Sequence, residues 1–148
     1  MDPNAQRVID ACFNDWNNNK SDCNAFVKAV ASDLGISIPD TNANGIVDFL
    51  SSSSEWTALA SGNGAQAKAE ADAGKFVIGA LRGNELVPPQ ENGHVLVVMS
   101  GPLDPTHNQY PRAAWGKLGS VGEKDSFVNF SFNATDRDDV HYFSRPLP

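Results

Sequence analysis

Cysteine is scarce in this 148-residue chain, which has only Cys12 and Cys23. Two cysteines cannot build a disulfide framework and leave at most one bridge, between themselves. Long apolar runs are missing as well. No stretch approaches the roughly 20 residues that cross a bilayer, so no membrane insertion is expected. Basic charge is sparse, with 11 Lys and Arg against 18 Asp and Glu and a formal net charge of -7. A nucleic-acid reader needs clustered cations to displace counterions. Here they are scattered and no stacking platform accompanies them, so no nucleic-acid partner is expected. The 3 histidines are joined by no carboxylate cluster at zinc-ligand spacing, so neither a metal nor a cofactor is expected. Met1 to Gln6 is polar and runs straight into a helical pattern, which predicts no secretory signal peptide of the usual design.

What is present is an ordinary globular balance, 41% hydrophobic and 20% charged. That suits one packed domain over residues 1–148. Val8, Ile9, Cys12, Phe13 and Trp16 recur at helical spacing behind Pro3, a residue at home in a first turn. A cleaner apolar stripe follows, Cys23, Phe26, Val27, Val30, Ala31 and Leu34, closed by Gly35. Residues 42–50 and the Ala-rich 65–73 also read as helices. After Gly74 the period changes. Phe76–Leu81 and Val95–Met99 are short β-branched runs bounded by Gly and Pro. Further strands are expected at 113–118, 126–132 and 141–143, with a short helical piece at 135–139 capped by Thr135. Helices first and strands afterwards predict an α+β fold, with a mainly antiparallel sheet backed by helices.

Chemistry concentrates in two places. Ser21 or Asp22 is a good N-cap, which puts Cys23 in the first turn of its helix. Unpaired backbone N–H groups and the positive helix end favour a thiolate there. Cys23 also lies on the apolar stripe, so a small core residue is the competing reading. His94 follows Gly93 and opens a strand, which places its ring at the sheet edge. A surface or structural histidine is the competing reading there. His107 and His141 carry no comparable context. A Cys and a His far apart in sequence can meet in the fold, as nucleophilic catalysis requires.

Taken together, Asp22-Cys23, Phe26-Val27 and Gly93-His94-Val95 resemble the NlpC-type branch of the papain-like cell-wall peptidases. The pair usual after the cysteine, Ser-Gly, is Asn24-Ala25 here. A resemblance over nearly the whole chain is to the first family of type VI secretion amidase effectors. It is carried by Ala11-Cys12, Cys23 with Phe26-Val27, and Asn42-Ala43-Asn44. Trp56-Thr57, Leu59-Ala60-Ser61-Gly62, Ser100-Gly101-Pro102-Leu103, Tyr110-Pro111 and Thr135-Asp136-Arg137-Asp138 extend it.

The resemblance implies a monomeric peptidoglycan DL-endopeptidase with Cys23 as nucleophile and His94 as general base and acid. The expected bond is that between D-glutamate and meso-diaminopimelate in the stem peptide. It implies synthesis in the producer's cytoplasm and delivery by the type VI secretion apparatus into a rival's periplasm. It also implies a cognate immunity protein that blocks the site. Other acyl-transfer enzymes on this scaffold, an N-acetylmuramoyl-amidase or an acyltransferase, stay open, as does a non-catalytic binding module.

The chain departs from the family twice. The place associated with the group that orients the histidine is a cysteine before a glycine; here it is Trp115, before Gly116. An indole is a donor only. Orientation must then come from the Trp115 backbone carbonyl, from a group elsewhere, or from packing. Arg7 stands where a relative can carry a disulfide-forming cysteine, so no disulfide is expected.

Overall fold

The computed structural model describes residues 1–148. Helix α1 spans Pro3–Asn19, with Pro3 in the first turn and Asp2 as N-cap. The Asp2 carboxylate accepts from the N–H of Asn4 and Ala5, satisfying two otherwise unpaired donors. Helix α2, Cys23–Asp33, is capped the same way by Asp22. Gly35 stands just beyond its end at φ 77°, in the left-handed region where glycine carries no Cβ penalty. Helices α3 (Ala43–Ser52) and α4 (Gly64–Asp72) are capped by Asn42 and Asn63.

Six strands form one sheet: β1 (Thr57–Ala58), β2 (Phe76–Leu81), β3 (His94–Val98), β4 (Arg112–Trp115), β5 (Glu123–Phe127) and β6 (His141–Arg145). Their order is β1-β6-β2-β3-β4-β5, and every pairing is antiparallel. The architecture is the α+β, papain-like one expected. All six residues of β2 and the last four of β3 are buried. That is why these strands read as unbroken apolar runs rather than alternating ones.

The sheet divides two cores. Phe76, Ile78, Ala80, Val95, Val97 and Met99 face α1, α2 and α3. Their alternates Val77, Leu81, Leu96 and Val98 face α4, Tyr110, Trp115, Phe132 and Tyr142. Cys12 is buried in the first core at 0% exposure, and both cysteines are free.

Two sequence readings give way here. The strand expected over 126–132 stops at Phe127, and a 3-10 turn follows at Val128–Phe130. The N–H groups of Ser131 and Phe132 both donate to the Val128 carbonyl, at 3.0 Å each, closing the chain into a turn. Residues 135–139 form turns rather than a helix. Their cap is Asn133, not Thr135: its side-chain oxygen accepts from the N–H of Thr135 and Asp136.

The loop between β3 and β4 is knitted by Asp104, which is 1% exposed. Its carboxylate accepts from the backbone N–H of His107, Gln109 and Tyr110. Burial pushes this carboxyl up, but those N–H groups and the His107 ring outweigh burial and hold it at about 2, below its ordinary 3.8. A depressed carboxylate stabilises the fold above its unfolded pKa and loses that contribution as pH falls through the folded value. The contribution is about 2 kcal/mol. Asp104→Ala should therefore lower stability at neutral pH by at least that amount, because it also strands buried donors. Urea midpoints should show the gap to wild type narrowing between about pH 4 and pH 2. A gap independent of pH would contradict this.

Candidate active site

Two glycines bring the site together. Gly93 precedes β3 where a Cβ would lie 2.2 Å from the Leu81 carbonyl oxygen. Only glycine lets β3 start so close to the end of β2. Gly116 ends β4 where a Cβ would meet the carbonyl oxygens of Asn19 and Asp22, at 2.3 and 2.5 Å. The segment leading into Cys23 is thereby laid against β4. It is pinned there by the N–H groups of Lys117 and Gly122, both donating to the Lys20 carbonyl. The start of α2, the start of β3 and the end of β4 thus meet at one end of the sheet.

A cleft of about 500 Å³ opens at this end. Cys23, His94 and Trp115 all line it, with Asn24, Lys117 and Ser131 among its other walls. Cys23 reaches it from the helix-side core and His94 from the opposite face of β3, whose even-numbered residues point to the second core. Leu118 and Phe130 stand on its rim, 58% and 71% exposed.

Cys23 is 4% exposed at the first position of α2. Asp22 takes the N–H groups of Asn24 and Ala25, at 3.0 and 3.1 Å, and its carbonyl takes that of Phe26. That leaves the Cys23 N–H as the first-turn donor not spent on the cap. The thiol donates to Asn24 Oδ1 over 3.6 Å. Burial pushes the thiol pKa up; the Val95, Asn24 and Cys23 backbone N–H groups pull the other way without overcoming it, and the Asp22 charge adds to burial. The thiolate expected from the helix end is therefore not the resting form, because desolvation exceeds the pull of the N–H groups.

His94 is half-buried. Its Nε2 lies 2.5 Å from Ser131 Oγ. Phe132 packs edge-on against the ring, centroids 5.1 Å apart and planes at 66°. Desolvation, helped by the Lys117 charge, pushes His94 down to about 4 from its ordinary 6.5. Both side chains are thus pushed toward their neutral forms, a thiol and an imidazole lining one cleft.

Trp115 is buried at 2%. Its carbonyl accepts from the indole N–H of Trp16 in α1, at 3.1 Å. The hydrogen bond on the His94 ring instead goes to Ser131. Of the three ways left open for orienting His94, the structure presents a group from elsewhere and gives the Trp115 carbonyl another partner. Asn24, Lys117 and Ser131 carried no signal in the sequence beyond proximity to Cys23 for the first. No three His, Cys, Asp or Glu side chains gather as metal ligands. No helix is long and apolar enough to cross a membrane.

A Ser-His-carboxylate alignment also exists elsewhere, away from this cleft. His141 at the start of β6 bonds Ser61 Oγ through Nδ1 at 2.9 Å and Glu85 through Nε2 at 2.6 Å. Glu85 further accepts from the Arg82 N–H. These bonds clamp the turn before α4, the end of β2 and β6 together.

Helices packed on an antiparallel sheet give a papain-like α+β fold, and a cysteine at a helix start and a histidine opening a strand line its cleft. No family model matches the chain. It is 39% identical to peptidoglycan amidase Tse1 of Pseudomonas aeruginosa, over 97% of this chain and 92% of that protein. The chain belongs to the type VI secretion amidase effector family.

Proposed function

We propose that this chain is a peptidoglycan amidase effector that hydrolyses the γ-D-glutamyl–meso-diaminopimelate bond through a Cys23 thioester. The reading rests on one observation above others. In a chain 39% identical to a peptidoglycan amidase, Cys23 and His94 line one cleft. His94 takes the thiol proton as sulfur attacks the glutamyl carbonyl, so no ion pair needs to exist beforehand. The carbonyl π electrons move onto oxygen, and the Cys23 N–H, which the Asp22 cap does not use, would hold that charge. Collapse of the tetrahedral intermediate breaks the C–N bond, and the imidazolium gives its proton to the departing diaminopimelate amine. Water then adds to the thioester with His94 as base, releasing the D-glutamyl carboxylate and restoring the thiol.

The same reading takes residues 1–148 as one catalytic domain acting as a monomer, delivered into a rival's periplasm by the type VI apparatus. The exposed Leu118 and Phe130 on the cleft rim suit an immunity protein that plugs the cleft.

Lys117 offers a check on the role of His94. Its charge helps hold the imidazole neutral, and the residue is exposed, so salt screens it. Lys117→Met should let the His94 pKa rise part of the way from about 4 toward 6.5. The acidic limb of kcat/KM then moves to higher pH, and added salt moves the wild type in the same direction. A limb that neither change moves would exclude His94 as the group it reports.

Mass spectrometry of purified peptidoglycan after digestion tests the proposal. The expected products are glycan-linked stems ending in D-glutamate and free peptides beginning with diaminopimelate. Stems released whole from muramic acid would replace this assignment by an N-acetylmuramoyl-amidase. Transfer to an added amine without hydrolysis would replace it by an acyltransferase, and no cleavage by a binding module.

A further inference from the structure

We infer that Ser131 is the positioning residue that orients His94 and fixes its tautomer, the part that Trp115 does not supply. The inference rests on the reading of Cys23 and His94 as the reacting pair, and it starts from the ring itself. Its Nε2 is engaged by Ser131 Oγ at 2.5 Å, while Nδ1 has no partner within the protein and is not among its sealed, unpaired polar atoms. Nδ1 is therefore the nitrogen left for Cys23 and substrate. To accept the thiol proton Nδ1 must be bare, so the ring proton must sit on Nε2 and be donated to Ser131 Oγ. The hydroxyl serves both protonation states. Nε2 carries a proton in the neutral ring and in the imidazolium, so the bond persists while the second proton comes and goes at Nδ1.

Ser131 is built to hold still. It directly follows the 3-10 turn Val128–Phe130, and its own N–H donates to the Val128 carbonyl at 3.0 Å. The Val128 N–H in turn donates to the Pro111 carbonyl, next to the start of β4. The following residue, Phe132, is 3% exposed and packs its ring edge-on against His94. One short segment thus supplies both the hydroxyl that fixes the tautomer and the ring that fixes the imidazole plane. A hydroxyl differs from a carboxylate in this place because it adds no negative charge. That agrees with a His94 that is pushed down, with no hydrogen-bonded anion opposing the shift.

The test compares Ser131→Thr with Ser131→Val, two side chains of the same shape of which only one has a hydroxyl, beside Ser131→Ala. Turnover of peptidoglycan fragments and imidazole ¹⁵N shifts are measured on each folded protein. Val and Ala should lower kcat about 10- to 100-fold with KM little changed, and Thr should restore most of it. Wild type and Thr should show the Nε2–H tautomer, and Val and Ala a mixture. Wild-type kcat with an unchanged tautomer in Val would overturn the inference, and so would Thr no faster than Val. Cys23→Ala and His94→Ala are run in parallel. If either of those digests at the wild-type rate, the reading of the reacting pair fails, a result distinct from any outcome at Ser131.

Discussion

Cys23→Ala should lower peptidoglycan turnover by about 10⁴-fold or more while leaving the fold in place. The variant removes the atom that bonds to the substrate, so no rearrangement of His94 or of the oxyanion donor restores the path. Its structural cost is small. The lost atom is one sulfur at the edge of the first core, and alanine is a good residue at the first position of a helix capped by Asp22. Cys12→Ala is the matched control. Cys12 lies fully inside the same core, on α1, away from the cleft walls. It loses the same sulfur and, if anything, more packing, yet should keep turnover wherever it is folded. Rates are to be read beside the folded fraction by circular dichroism. A folded Cys12→Ala that is inactive would reverse the choice of cysteine.

Trp115→Ala should show the largest stability loss, about 3–5 kcal/mol, since it empties a ring-sized volume in the second core. Its carbonyl remains for Trp16, so the loss is one of packing. Activity should follow the folded fraction and recover on cooling. Trp115→Phe keeps most of the ring area and the same carbonyl, and should retain most turnover. His94→Ala, by contrast, should be inactive at every temperature at which it is folded. A fully folded Trp115→Phe as inactive as His94→Ala would show that the indole N–H acts on substrate.

Much of this architecture was legible in the chain because the signals are local. The stripe from Cys23 to Leu34, the Asp22 cap and Gly35 define α2 within a residue or two, and Phe76–Leu81 matches β2 end for end. That Cys23 and His94 line one cleft is not a local signal. A family resemblance is what suggests it, and Gly93 and Gly116 let the start of β3 and the segment before α2 come close to their neighbours. What sequence could not supply was Ser131. Phe127, Val128, Phe130 and Phe132 alternate enough to suggest a strand, but Phe130 points into solvent and the chain turns back through the Val128 carbonyl. That turn is what delivers the Ser131 hydroxyl to His94, so reading it as a strand hid the residue. The resting protonation of the pair was also out of reach. A helix start argues for a thiolate, and burial of the site, with the Asp22 charge added to it, reverses the sign.

Passage of the chemistry through the Cys23 sulfur is checked by alkylating the folded protein with iodoacetamide, at a pH high enough to populate the thiolate that burial disfavours. Peptide masses follow each cysteine while peptidoglycan turnover is measured on the same samples. Turnover should fall in proportion to the fraction of Cys23 modified, with Cys12 protected by its complete burial until the protein unfolds. Full modification of Cys23 with turnover intact would contradict the account.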